Sequence, residues 1–171
     1  MNKIKLSFCI TTFNNEEYIS ATLKSIVSQY GDDVEIVIGD SSPNNATEII
    51  SKEFSKKFKN IVYKKLNNEG FGIDLSKTVS LAKGEYCWLF SSDDCIKDGA
   101  INHIKGLITR SNPAVLLCNR SICSKDLVPI KTSPNWLLGN KNAIKFDFNN
   151  LEELNEYIIK SQSIGSLFSY M

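Results

Sequence analysis

The chain has 171 residues, with 20 Lys plus Arg against 19 Asp plus Glu, 42% hydrophobic and 23% charged residues. That length suits one domain burying roughly 68–70% of its unfolded surface, and the composition excludes a disordered chain. A net charge of +1 gives no electrostatic footprint for general nucleic-acid binding. No apolar run reaches the roughly 18 residues of a membrane helix. The opening MNKIKLSFCITTF is a poor signal peptide, since Thr11, Thr12 and Asn14 interrupt it. The five cysteines include no CxxC pair and only one histidine, His103, is present. Buried reduced thiols in a cytoplasmic protein are therefore expected, rather than a disulfide framework or a zinc site.

Strand-like and helix-like patterns alternate along the first two-thirds. Ile4–Thr12 is an apolar, β-rich run, and Glu16–Tyr30 carries Ile19, Leu23, Ile26, Val27 and Tyr30 at helical spacing. Asn14 or Asn15 offers an N-cap and Gly31 a stop. Val34–Gly39 predicts the second strand. Ala46–Phe58 predicts a helix with Ile49, Ile50, Phe54 and Phe58 inward, and Asn60–Leu66 a third strand. A loop at Asn67–Gly72 leads to a helix over Ile73–Lys83. Glu85–Phe90 is expected as a buried fourth strand, Lys97–Arg110 as a helix and Ala114–Asn119 as a fifth strand. This order implies right-handed βαβ units, with a mainly parallel sheet covered on both faces. Beyond Arg120 the rhythm gives way to loops, with a strand near Ile144–Phe148, a helix over Leu151–Lys160 and a strand over Ile164–Met171.

In such a sheet, ligands bind outside the carboxyl ends of the strands. The loops there are Thr11–Glu16, Asp40–Asn45, Asn67–Gly72 and Ser91–Asp94. The first is neither a G-x-x-x-x-G-K-[ST] phosphate loop nor G-x-G-x-x-G, and Gly70-Phe71-Gly72 reads as a turn before a helix. Asp93 and Asp94 close the Trp88-Leu89-Phe90 strand. They suit a Mg²⁺ or Mn²⁺ ion bridging to a diphosphate, or a helix cap. Asp40 suits a ribose hydroxyl or base N–H, or an Asx-turn. Trp88 reads as core; Trp136 could stack on a sugar or pack. Glu152, Glu153 and Glu156 read as a solvated helix face.

Taken as a series, these motifs resemble family 2 glycosyltransferases. LSFCITTFN (Leu6–Asn14) is similar to the family's opening strand and T-x-[YF]-N turn, with EEYI and LKSIVSQ in the helix that follows. EIVIGD resembles the strand ending in the nucleotide-binding Asp, and SPNNATEII the next turn and helix. Asn68-Glu69-Gly70 is similar to the family's N-x-G, AKGEYCW to its A-x-G-E-Y stretch, and Ser91–Asp94 stands where the D-x-D motif falls. The resemblance covers residues 5 to about 120.

It implies a GT-A (Rossmann-like) α/β sandwich, with a nucleotide-sugar-binding core over 1–120 and the start of an acceptor-side region over 121–171. Thr11, Thr12, Phe13 and Glu16 would surround the nucleotide and Asp40 would contact its base or ribose. Asp93 would bind Mg²⁺ or Mn²⁺, and Asp94 would position the donor sugar. Ser91 replaces the first Asp of D-x-D, Asn44 a common turn Asp, and Leu75-Ser76 a frequent Arg-Asn. GFGIDLSK resembles the G-F-D-x-N helix of the subgroup that transfers deoxysugars in O-antigen-type polysaccharides. This places Asp74 at the Asn of that pattern and in the nucleotide-binding set.

The implied reaction moves a sugar, with inversion, from a nucleoside diphosphate sugar to a glycan or lipid-linked acceptor hydroxyl in surface polysaccharide or glycan synthesis. The catalytic base is expected beyond Met171. The resemblance leaves a non-catalytic nucleotide-sugar-binding or partner-binding module as the second reading. Lys56, Lys57, Lys59, Lys64 and Lys65 form a basic cluster that is either a solvated face or a contact for the inner face of a membrane.

Overall fold

The computed structural model describes residues 3–116, 118, 121–126, 128–132, 147 and 149–162. The chain divides into two compact units, Met1–Ala114 and Val115–Met171. The first unit runs β1 (Leu6–Thr12), α1 (Glu16–Val27), β2 (Val34–Asp40), α2 (Ala46–Ser55), β3 (Ile61–Lys65), α3 (Phe71–Ser80), β4 (Tyr86–Ser91) and α4 (Ala100–Ser111). The second contains β5 (Ser121–Cys123), β6 (Pro129–Thr132) and α5 (Leu151–Gln162).

The first unit is built on a parallel sheet of order β3-β2-β1-β4. Every residue of β2 is buried, and all but Thr11 of β1. This explains their unbroken apolar runs, since a central parallel strand meets side chains on both faces. The register aligns Phe8 with Ile36 and Trp88, so Leu6, Phe8 and Ile10 share one face with Ile36, Ile38, Trp88 and Phe90. Phe8 stacks on Trp88 at 5.1 Å and meets Phe90 edge-on at 5.5 Å. Each fully buried side chain of this kind contributes about 1.5–3 kcal/mol.

The chain steps outward from β1 to β2 to β3, then returns to β4 on the other side of β1. Right-handed crossovers therefore put α1 and α2 on one face and α3 on the other. Consistently, α1 packs against α2, and α3 against β1 and β2. Gly39 permits the approach of α3, because a Cβ there would collide with the Thr78 hydroxyl and lie 2.9 Å from Leu66. The architecture is an α/β sandwich with helices on both faces of a mainly parallel sheet.

Several expected elements shift. β4 is an edge strand whose outward face is exposed, with Leu89 51% accessible, so Trp88 is half-buried rather than enclosed. No described residue between 114 and 118 lies in a strand, and β1 and β4 are not followed by a fifth partner among the described residues. In α2 the inward positions belong to Thr47 and Ser51, while Ile49 is 59% exposed and Phe58 lies past the helix end. Ser51 donates to the Thr47 carbonyl at 2.7 Å, which lets a hydroxyl be buried there without penalty. α3 begins at Phe71, two residues earlier than the pattern suggested. Of the cysteines only Cys9 is buried; Cys87, Cys118 and Cys123 are exposed. Burial, with Cys87 beside it, pushes the Cys9 thiol upward, which suits an inert core residue. Trp136, the strand near Ile144–Phe148 except Asp147, and the strand over Ile164–Met171 lie outside the described residues.

In the second unit, β5 and β6 form an antiparallel pair in which Ile122 faces Lys131. α5 starts with a reciprocal cap. Asn150 Oδ1 accepts from Glu152 N at 3.0 Å, and Glu153 reaches back to accept from Asp147 N at 2.6 Å and Asn150 Nδ2 at 3.3 Å. Glu153 therefore serves the helix start, while Glu152 and Glu156 are exposed.

One polar group interrupts the core. Glu35, 2% exposed, accepts from Ser7 Oγ at 2.7 Å and Lys83 N at 2.8 Å, and Ser7 Oγ accepts from Gly84 N at 2.9 Å. The cluster ties β1, β2 and the approach to β4 together. Glu35→Leu would leave the fully buried Ser7 hydroxyl without its acceptor. The expected loss is about 1–3 kcal/mol, read as a lower urea midpoint, with Glu35→Gln losing less because it keeps an acceptor oxygen.

Candidate functional site

At the carboxyl edge of the sheet, an open cleft of about 220 Å³ is lined by Thr11, Thr12, Phe13, Ser41, Asn68, Phe71 and Asp74. Its walls are the ends of β1 and β2, the loop after β3 and the first turn of α3. Gly70 makes that last wall feasible. Its φ of +101° and ψ of 151° are accessible to glycine and strained for other residues, and they let the chain turn directly into α3. Phe13 and Phe71 are 49% and 57% exposed, so both present ring surface to solvent at the cleft.

Asp40 is not among the residues that line this cleft. It is fully buried. Its Oδ1 accepts from Ser42 N at 2.9 Å, an Asx-turn. Its Oδ2 accepts from Tyr63 Oη at 2.8 Å and pairs with Lys65 Nζ at 3.5 Å. Lys65 also donates to the Asn44 carbonyl at 2.6 Å. Asn44 in turn donates to Glu16 Oε1 at 3.1 Å and accepts from Ala46 N at 3.0 Å. Asn44 thus links α1, α2 and β3. The other Glu16 carboxylate oxygen is buried without a partner.

Asp74 is 2% exposed yet lines the cleft. Its Oδ2 accepts from Ser41 Oγ at 2.5 Å and its Oδ1 from Glu69 N at 3.4 Å. It sits in the first turn of α3, where the helix dipole favours an anion. Thr11 Oγ1 donates to Thr78 Oγ1 at 3.4 Å. Thr12 is 3% exposed and its Oγ1 is buried without a partner.

The loop after β4 is hung on α1. Ser92, 2% exposed, accepts from Asn15 Nδ2 at 2.8 Å, and its carbonyl accepts from Thr22 Oγ1 at 2.8 Å. Asn15 stands at the N-cap of α1, but its side chain makes no cap bond; its amide goes to Ser92 instead. Ser91 Oγ donates to Asp93 Oδ1, and Asp94 N donates to the Ser91 carbonyl at 3.5 Å. α4 starts only at Ala100 with Gly99 at its cap, so neither Asp93 nor Asp94 caps it.

Of the residues singled out in the sequence, Thr11, Thr12, Phe13 and Asp74 meet around the cleft. Asp40 and Glu16 are not among its lining residues, and Asp93 and Asp94 lie in the loop after β4. Ser41, Asn68 and Phe71 also line the cleft. Phe71 was hidden in what reads as a turn, although an aromatic beside Gly70 in a polar loop is the signal that could have marked it. Tyr63 and Lys65 carry no motif; they matter because they end the strand beside Asp40.

Burial, reinforced by the hydrogen bond to Asp40, holds the Tyr63 hydroxyl well above its usual range. A raised folded-state value means the stabilisation is full below about pH 10, the unfolded value, and is lost as pH rises through the folded one. Tyr63→Phe should cost about 1–2 kcal/mol, the low end for a bond to a charged group because the ring is partly exposed. Urea unfolding from pH 7 to pH 11 should show a smaller alkaline loss in the variant. Tyr30, pushed up to about 12 by burial, contributes equally to both proteins.

The family described as Glycosyl transferase family 2 matches residues 7–165, past the reach of the motifs in the sequence. The abequosyltransferase RfbV of Salmonella typhimurium is 31% identical over 170 residues, covering 97% of this chain and 50% of the relative. The poly(ribitol-phosphate) beta-glucosyltransferase of Bacillus spizizenii is 32% identical over 102 residues, 57% of this chain and 16% of the relative. Among solved structures, S. aureus TarS 1–349 in complex with UDP superposes with a TM-score of 0.58 at 25% identity, over 64% of this chain and 33% of that one. Its complex with UDP-GlcNAc gives 0.57 at 25% identity, over 64% and 32%. The chain spans half or less of the length of these relatives. With a match over most of its length and a fold shared with TarS, this chain belongs to glycosyl transferase family 2.

Proposed function

We propose that this chain is the donor-binding half of an inverting glycosyltransferase. It would take a nucleoside diphosphate sugar and serve transfer to a glycan or lipid-linked acceptor hydroxyl in surface polysaccharide or glycan synthesis. The observation that carries this reading is the cleft between β1, β2 and α3, where aromatic rings, hydroxyls and a buried carboxylate converge at the carboxyl edge of a parallel sheet. One relative is named an abequosyltransferase and another a minor teichoic acid biosynthesis protein, and TarS has been solved with UDP and UDP-GlcNAc.

On this reading, Thr11, Thr12, Phe13 and Asp74 bind the nucleotide. Asp40 and Glu16 brace the turns that carry them. Asp94 positions the donor sugar, and Asp93 faces the diphosphate. The donor atoms at the β4 loop fit Mg²⁺ or Mn²⁺: hard carboxylate oxygens on an exposed loop, with Ser91 orienting Asp93. Among the described residues no group of three His, Cys, Asp or Glu could hold a metal. A cation here would draw the rest of its shell from diphosphate and water, as Mg²⁺ commonly does. When bound, it would neutralise charge on the leaving diphosphate. No helix of the described residues is long and apolar enough to cross a membrane. On this reading the enzyme works in the cytoplasm, with Lys56, Lys57, Lys59 and Lys64 available for the inner membrane face, since Lys65 is held by Asp40 and the Asn44 carbonyl.

Calorimetric titration of UDP, CDP and GDP with and without Mn²⁺ tests the reading. Binding to the wild-type chain should tighten at least about tenfold with Mn²⁺, and Asp93→Asn should abolish most of that gain. Metal-independent binding that is unchanged in Asp93→Asn would remove Asp93 from the metal role. Complete absence of nucleotide binding would sink the donor-binding proposal.

A further inference from the structure

We infer that Asn15 is a positioning residue: its side-chain amide latches the loop that carries Asp93 to the strand end that walls the nucleotide cleft, so that nucleotide and cation bind cooperatively. The inference rests on the donor-binding reading above and names a residue to which that reading gave no role.

Asn15 is placed to cap α1 and does not. Asn is among the residues most favoured at an N-cap, where its side chain ordinarily accepts from a backbone N–H of the first turn. The start of α1 has no such side-chain bond. The amide nitrogen donates instead to Ser92 Oγ at 2.8 Å, 77 residues away in the chain. Glu16 and Glu17, in the first turn of α1, offset the missing cap by placing negative charge at the positive end of the helix.

The receiving end is firmly anchored. Ser92 is 2% exposed, and its carbonyl accepts from Thr22 Oγ1 at 2.8 Å. Thr22 is fully buried and lies two helical turns beyond Asn15, on the same face of α1. Further on, the loop is fixed again. Buried Ile96 donates its N–H to Ser25 Oγ at 3.1 Å, and the Lys97 carbonyl accepts from Gln29 Nε2 at 3.0 Å. Between the two anchors stand Asp93 and Asp94, both exposed. An arch held at both ends gives up little conformational entropy when a ligand orders it. An arch released at its near end bears that cost on binding.

The other end of the latch is rooted at the cleft. In three consecutive residues the chain meets three separate features. Phe13 lines the cleft. Asn14, at a φ of +53° that Asn tolerates, donates its N–H to Ser42 Oγ at 2.8 Å in the turn after β2. Asn15 then reaches the loop after β4. Phe13 is two residues from Asn15, and Asp93 is the neighbour of Ser92. A nucleotide at the first and a cation at the second are thus joined through one hydrogen bond.

Calorimetric titration of the full chain with UDP, CDP and GDP, each with and without Mn²⁺, gives the factor by which the cation tightens the best-bound nucleotide. In wild type this factor should be at least about tenfold. Asn15→Ala should cut it by about threefold or more, the range of one hydrogen bond, and change the metal-free affinity by less than about twofold. Asn15→Ser separates latch from cap, since serine caps a helix about as well as asparagine but is too short to reach Ser92. It should lose the Mn²⁺ factor as alanine does while keeping the urea midpoint of wild type. Ser92→Ala should match Asn15→Ala, and the double variant should lose no more than either single one, because the two side chains make one bond. A Mn²⁺ factor that survives in Asn15→Ser, or that follows the urea midpoint across the variants, overturns the inference. So does an additive loss in the double variant. Those results leave the donor-binding reading standing. Nucleotide binding by wild type with no Mn²⁺ gain defeats the cation role of Asp93 and this inference with it, whereas no nucleotide binding at all defeats the donor-binding reading beneath both.

Discussion

A buried anion at the end of β2 organises the carboxyl edge of the sheet. Asp40 has no contact with solvent, and a carboxylate in that position is tolerated only if donors surround it. The donors come from three places: the backbone of the next turn, the phenol of Tyr63 and the ammonium of Lys65. Two of these belong to β3, so the outermost strand is locked to β2 by side chains as well as by its ladder. The third fixes the turn from which Ser41 reaches Asp74. The lip of the cleft and the edge of the sheet are consequences of satisfying one charge.

A second buried carboxylate does comparable work at the opposite end. Glu35 gathers Ser7 and the backbone at Lys83, so the chain leaving α3 is anchored before it enters β4. Both acids lie on β2, the most enclosed strand. Breaking either would leave uncompensated polar groups in a packed interior, so their partners are held more firmly than exposed ion pairs such as Lys52–Glu48 at 2.6 Å. The frame that carries the site is therefore stiff in β1 and β2, and looser towards the exposed face of β4.

Much of this frame was legible in the residues. The alternation of apolar runs and helical spacing located all four strands of the sheet, because parallel central strands need continuous hydrophobicity and their helices need one apolar stripe. What escaped were features set by pairing across the chain. VEIVIG shows Glu35 in an apolar strand, but nothing local says that Ser7 will meet it. The burial of Thr47 and Ser51 in place of Ile49 follows from how α2 leans on β2 and β3, with Ser51 bonded back to the Thr47 carbonyl to make a hydroxyl acceptable inside. The exposed outer face of β4 was unreadable for a similar reason: Cys87 and Leu89 look as apolar as any core strand, and only the strand order shows that β4 ends the described sheet. At the carboxyl edge, the motif series named Thr11, Thr12, Phe13 and Asp74, which the structure brings together around one cleft, and Asp40, which lies outside its lining. It could not separate the two aspartates, since what distinguishes them is which donors each has already captured.

The two parts of the carboxyl edge are coupled through α1. Its N-cap Asn15 comes two residues after Phe13, which walls the cleft with Thr12, and the Asn15 and Thr22 side chains grip Ser92 in the loop after β4. A nucleotide held against Thr12 and a diphosphate facing Asp93 would therefore be referenced to the same helix. That is the kind of rigid support which keeps reacting groups in register. It also gives Ser91 a physical role where the family pattern has an acid. Its hydroxyl donates to Asp93 and orients one carboxylate, where an aspartate would have added a second negative charge. On the proposed reading, the loop offers a cation fewer protein charges but a better-fixed Asp93, and leaves more of the coordination to the diphosphate itself.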